Sequence, residues 1–156
     1  IPGTTEDMGD IRLSDSGDRL FVMAGDEKVH VYDNLHNEEF VTGAQLPVRN
    51  FSVNGDGNYM VLTNDVGNAV VFGRTNTSWS PIGSEIVTNM TGGVSTDIKG
   101  DGTSIVLVSP NDDLRLYTYE DGTWSQASSS TGTRGTSVFI SDTTDIIVDD
   151  SCPLSL

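Results

Sequence analysis

Asn54, Asp56 and Asn58 alternate in the stretch NGDGN. Three oxygen-bearing side chains at every second position are what a hard divalent cation asks of a compact turn. Thinner versions recur as Asp15 with Asp18 and as Asp101 alone. The same residue types also make tight turns without any ion. The sequence favours the turn role and leaves calcium as the one cofactor to test.

Trp79 in SWSPIG and Trp124 in TWSQAS hold matching places in successive segments. An aromatic platform flanked by Asn, Asp and Gly would bind a sugar. An indole packing one segment on the next gives the same spacing, so both readings stand. Three N-glycosylation sequons begin at Asn50, Asn76 and Asn89. Asn76 and Asn89 fall in polar connections and are the ones expected to be reachable in a secreted chain, whereas Asn50 opens an apolar strand.

Material for catalysis is sparse. His30 lies inside VHVYD and reads as a satisfied strand histidine, and His36 lies in the polar stretch DNLHNEE. No G-x-S-x-G turn marks a serine nucleophile, and no His or Cys pair has zinc-ligand spacing. Cys152 is the single cysteine, so it has no internal disulfide partner; in a secreted protein it would pair with a thiol on another chain or in a missing segment, and in a cytosolic one it would be a small buried residue. The 23 acidic residues could form a carboxylate pair, but nothing in their order selects one. The expectation is a protein that is not an enzyme.

A formal net charge of −15 with eight basic residues argues against nucleic acid and against anionic lipid surfaces. No run of about 18 apolar residues is present to cross a membrane. Such acidity suits a hydrated surface, divalent cations or a basic partner.

These residues sit in a repeat. SDSGDRLFVM, NGDGNYMVLT, KGDGTSIVLV and the weaker SDTTDIIV each follow an apolar anchor: Leu13, Val53, Ile98 and Ile140. The anchors are 40, 45 and 42 residues apart. Each unit reads as a short strand, a turn in which Gly17, Gly55, Gly57 and Gly102 permit positive φ, an apolar strand, a third strand (VHVYD, AVVFG, LRLYTY) and a fourth carrying Trp or Phe. The runs FVM, MVL and IVLV do not alternate with polar residues, so they should be covered on both faces. Ser128 to Thr136 reads as a loose loop. The expected fold is all-β: four-stranded antiparallel blades of a β-propeller over 10–49, 50–95 and 96–133, with a half blade over 137–156, in one domain spanning 1–156. A sandwich or barrel of twelve to fourteen strands is the alternative.

The apolar anchor, Ser-x-Asp-Gly-like turn, V-x-V-Y strand and W-x-x-x-G segment resemble WD-repeat and especially FG-GAP-like propellers of divergent secreted type. The resemblance lies in LSDSGDRLFVMAGDEKVHVYD, VNGDGNYMVLTNDVGNAVVF with WSPIGSEI, and IKGDGTSIVLV with LRLYTYEDGTW. Tyr32-Asp33 stands where a WD repeat has Trp-Asp, and the full D-x-D-x-D-G calcium loop is not present. The resemblance implies a scaffold whose loops make contacts.

Three and a half blades leave a ring open. Closure is expected from further blades of a longer polypeptide, from a second copy or another chain (two halves making seven), or from IPGTTEDMG completing a small ring of four. The functional expectation is a non-enzymatic extracellular or cell-surface structural and interaction module whose partners are other protein chains. A carbohydrate-binding propeller with glycan partners is the alternative.

Overall fold

The computed structural model describes residues 9–33, 37–41, 48–76 and 78–149, with the backbone alone described over 37–41. Among the described residues every regular element is a strand, so the all-β expectation holds. The first sheet comprises β1 (Ile11–Leu13), β2 (Arg19–Met23), β3 (Val29–Asp33) and β4 (Asn37–Val41). The second comprises β5 (Asn50–Val53), β6 (Tyr59–Thr63), β7 (Ala69–Thr75) and β8 (Ser78–Pro81). The third comprises β9 (Ser95–Ile98), β10 (Ser104–Val108), β11 (Leu114–Glu120) and β12 (Thr123–Ser130), and the fourth β13 (Ser137–Ile140) with β14 (Ile146–Asp149). Each four-stranded sheet is an antiparallel meander in chain order.

One turn is built four times between the first two strands of each sheet. The N–H of Gly17 donates to Ser14 O, Gly57 to Asn54 O, Gly102 to Lys99 O and Thr144 to Ser141 O, all at 2.9 Å. The donor residue has φ of 74°, 64°, 72° and 68° in turn. Glycine takes that left-handed conformation freely, while Thr144 takes it at a cost. Gly55 was expected to use positive φ and does not. Its lack of a side chain instead admits the Asp15 carboxylate, which a Cβ would strike.

The unalternating apolar runs are explained by two different cores. In β6, Met60 and Leu62 point to a cluster shared with Phe21, Val29 and Val31 of the first sheet, while Val61 points to a cluster shared with Ile98, Ile105 and Leu107 of the third. A third cluster joins Val106, Val108 and Leu114 to Val138 and Ile140. Successive side chains on a strand point to opposite faces, so a strand sandwiched between two sheets must be apolar at every position.

Ser128–Ser130, expected in a loose loop, belong to β12 and pair with Leu116, Arg115 and Leu114 beyond an irregularity at Leu116/Tyr117. β12 is an exposed edge strand, so β11 supplies its pairing and no apolar signal is needed. Cys152, His36 and the PLSL segment lie outside the described residues, as does most of IPGTTEDMG.

Candidate functional site

The inner strands β5, β9 and β13 are edge strands of their sheets and lie side by side. Their starts, Asn50, Ser95 and Thr136 beside β13, border one opening of about 300 Å³ that also holds Arg49, Gly92 and Gly93. Their ends, Val53, Ile98 and Ile140, border another of about 570 Å³. The three strands therefore run in one direction, from the first opening to the second.

The larger opening carries the chemistry. Asp15, Asp56, Asp97, Asp101 and Asp142 line it, with Lys99 as the one cation among its lining residues. Asp97 stands on β9 between two neighbouring sheets. Its Oδ1 accepts from the Ser52 hydroxyl at 2.5 Å and its Oδ2 from the Ile140 N–H at 2.9 Å. One hydrogen bond to each oxygen fixes the carboxylate and leaves acceptor capacity on both. Lys99 Nζ donates to Asp101 Oδ2 at 2.8 Å. That bond, with the Thr103 hydroxyl and N–H, pulls the Asp101 carboxyl down to about 2.

Turns of adjacent sheets are tied around this mouth. Asp15 N donates to Gly55 O at 2.9 Å, Asn54 Nδ2 to Gly100 O at 2.7 Å, and Gly100 N to Asp142 Oδ1 at 3.0 Å. A side chain at Gly100 would strike Asp142, just as one at Gly55 would strike Asp15. Such a site can take hydrogen bonds from hydroxyl groups and hold a water against a carboxylate.

The alternating trio in NGDGN is not gathered on one point. Asn54 is buried: its Oδ1 accepts from Asn58 N and Tyr59 N, and its Nδ2 reaches the third sheet. Asn58 Oδ1 accepts from Arg19 Nη1 at 3.2 Å, and Asp56 lies exposed in the mouth. Trp79 packs edge-on against Phe21 with centroids 6.0 Å apart, and Trp124 sits 5.1 Å from Tyr119 while its indole donates to Ile82 O at 2.7 Å. Each indole thus wedges against the preceding sheet. Asn76 and Asn89 are exposed with φ of 57° and 54°, and Asn50 is half-buried at the start of β5. Asparagine is among the few residues tolerating that φ, so backbone geometry accounts for both of the exposed ones. His30 is half-buried with Nε2 at 3.1 Å from Asp26 Oδ1.

Sequence reasoning missed an ion-pair triad linking the first two sheets. Asp33 accepts from Arg19 Nε at 3.3 Å and from Arg74 Nη2, and Arg19 Nη1 also donates to Gly57 O and, at 3.2 Å, to Asp56 O. It also missed Asp97. The signal available was a charged residue in STDI, one position before the apolar anchor Ile98 of an inner strand.

No family model matches the chain, and no curated protein matches it. Solved structures do. One, a "putative 6-phosphogluconolactonase" from Bacteroides fragilis, is 16% identical with a TM-score of 0.65, over 93% of this chain and 48% of that one. The chain thus spans about half the length of the solved protein it matches. The likeness concerns fold, and the repeated four-stranded sheets fit a β-propeller. It also corrects two expectations. The reading as a non-enzymatic extracellular module, with its lectin-like alternative, and the reading as a protein that is not an enzyme give way, because the architecture matched is that of a protein described as a 6-phosphogluconolactonase and nothing in the geometry favours an extracellular scaffold.

Proposed function

We propose that the chain is about half of a β-propeller of the lactonase type and that the closed ring hydrolyses the lactone of a polyhydroxy acid. The observation that carries this reading is the structural likeness over 93% of the chain to a protein described as a lactonase. Because folds host many activities, the chemistry must be argued from the site itself. The Asp-rich mouth at the ends of β5, β9 and β13 supports it by offering a fixed carboxylate and polyol-binding groups.

Hydrolysis of a lactone adds water across the acyl C–O bond: the water oxygen bonds to carbonyl carbon, the ring oxygen leaves, and one proton passes from water to that oxygen. Asp97, held by Ser52 and Ile140, is the carboxylate placed to accept the water proton. Five aspartates against one lysine repel phosphate, so the preferred substrate is a neutral lactone and not a phosphorylated one. The test is a pH-stat assay of the protein in its native assembly on gluconolactone and on its 6-phosphate ester. Hydrolysis of the neutral lactone above the spontaneous rate, lost in Asp97→Asn, is expected. Both lactones opening at the buffer rate would overturn the reading.

A further inference from the structure

We propose that a recess of about 420 Å³ on the outer strands of the third sheet binds a small hydroxy carboxylate, with Arg115 holding its carboxylate group. The site is separate from the Asp-rich mouth and does not rest on the lactone reading.

Charge points to it first. The chain has 23 acidic and eight basic residues. Arg12, Arg19, Lys28, Arg49, Arg74, Lys99 and Arg134 each lie within 4.0 Å of a carboxylate oxygen. Among the described residues, Arg115 alone has no such partner. Its Nη1 donates to the Thr88 carbonyl at 2.6 Å, which occupies one of five N–H donors and leaves the charge uncompensated. Asp112 and Asp113 are close in sequence, yet each is held elsewhere. Asp112 Oδ2 accepts from Thr91 N at 2.7 Å, and Asp113 Oδ1 accepts from Gly132 N at 2.8 Å. In so acidic a chain, an arginine that faces a recess without a carboxylate is set apart from the rest.

The strands gather further donors beside it. In the pairing of β11 with β12, Tyr117 stands opposite Gln126 and Arg115 opposite Ser129. Gln126 and Ser129 are three positions apart, so a regular strand would send them to opposite faces. The irregularity at Leu116/Tyr117 leaves Ala127 without a partner and turns both side chains to the face of Arg115. All three line the recess. The Tyr117 hydroxyl donates to Gln126 Oε1 at 3.4 Å, which turns the amide N–H groups away from the tyrosine. The bulge thus assembles a guanidinium, an amide and a hydroxyl around one point.

That donor set selects the ligand. A guanidinium fork matches a planar carboxylate through two parallel hydrogen bonds. Asp113 and Asn111, also in the lining, can accept from hydroxyl groups on the same molecule. Asp112 and Asp113 make a doubly charged phosphate less welcome than a singly charged carboxylate. Every lining residue belongs to the third sheet or to the connections that follow β10 and β12, so the site is complete among the described residues. Because β10 runs antiparallel to β9, the turn after it lies at the end of the sheet away from the Asp-rich mouth.

The test is titration calorimetry of the full chain in its native assembly, with gluconate, sorbitol and inorganic phosphate as probes. Gluconate should bind once per chain, and sorbitol, which lacks the carboxylate, should not. Arg115→Met should weaken gluconate at least about tenfold, the scale of a lost charge-assisted hydrogen bond. That variant also loses the tie to Thr88, so a second one repeats the test without touching it. Gln126→Met combined with Ser129→Ala alters two exposed side chains and should weaken gluconate with the thermal midpoint unchanged. No gluconate heat, equal uptake of sorbitol, tighter binding of phosphate than of gluconate, or full affinity in both recess variants would each overturn the proposal. Gluconate binding that is lost in Asp97→Asn and kept in Arg115→Met would also overturn it, by placing the carboxylate in the Asp-rich mouth. The two readings fail separately: an assembly inert toward lactones that binds gluconate through Arg115 sinks only the activity.

Discussion

The indole N–H of Trp124 donates to the carbonyl of Ile82 at 2.7 Å, across 42 residues and from one sheet to the one before it. Trp79, its counterpart in the preceding repeat, has a buried indole nitrogen with no hydrogen-bond partner. The two tryptophans thus occupy equivalent places with opposite polar bookkeeping. Trp124→Phe should cost about 1 kcal/mol by stranding the Ile82 carbonyl, while Trp79→Phe should be neutral or stabilise by up to about 1 kcal/mol by removing an unpaired donor. Urea midpoints of the two variants check this, and equal losses would contradict it.

The triad of Asp33 with Arg19 and Arg74 sets a larger expectation. The arginine side chains are 10% and 9% exposed, and Asp33 is 21% exposed. Asp33→Asn deprives two poorly solvated guanidinium groups of the carboxylate they share, which costs about 3 kcal/mol. Asp33→Asn combined with Arg74→Leu should recover part of that loss, because it removes one of the two cations that the carboxylate joined. A double variant less stable than the single one would refute the argument.

The repeat was legible because its cause is local: an apolar anchor, a turn residue and an unalternating run recur with the same spacing, and each run must be covered on both faces. Phe21, Val61 and Val106 show that logic in the cores they enter. What the sequence hid depends on distances across sheets. Asp33 is 14 residues from Arg19 and 41 from Arg74, and no local pattern joins them. Asp97 looks like an error in an inner strand until Ser52 and Ile140 are placed beside it. Gly55 was legible as a necessary glycine but for the wrong reason, since its space is taken by Asp15 from another sheet. The two tryptophans were legible as equivalent, yet only their partners decide what each contributes.

Acid should reveal the Lys99–Asp101 pair. Asp101 is depressed from 3.8 to about 2, chiefly by the hydrogen bond from Lys99 and then by that from Thr103. A depressed folded value stabilises above the unfolded value and is lost as pH falls through the folded one. The window therefore runs from about pH 4 to about pH 2. With Asp101 49% exposed, solvent screening limits the contribution to about 1 kcal/mol or less. Asp101→Asn should be less stable than wild type at pH 7 by that amount, with the gap closing across the window. A gap that stays constant from pH 7 to pH 2 in urea titrations would remove the pair as its cause.

Thr144 holds the turn position that glycine holds in the other three repeats, at a φ of 68°. A β-branched residue in the left-handed region carries strain of about 1 kcal/mol or more. Glycine removes it but adds freedom to the unfolded chain, so Thr144→Gly should yield a net gain of about 0.5 kcal/mol. The reverse exchange is not symmetrical. Gly102→Thr imposes the same backbone strain and also drives a Cβ into the Tyr59 ring, which belongs to the packing between the second and third sheets. That exchange should cost upwards of about 2 kcal/mol, since overpacking adds to strain. Thermal unfolding of both variants decides the matter: a Thr144→Gly chain less stable than wild type would mean that the fourth turn owes its shape to something other than the hydrogen bond closing it.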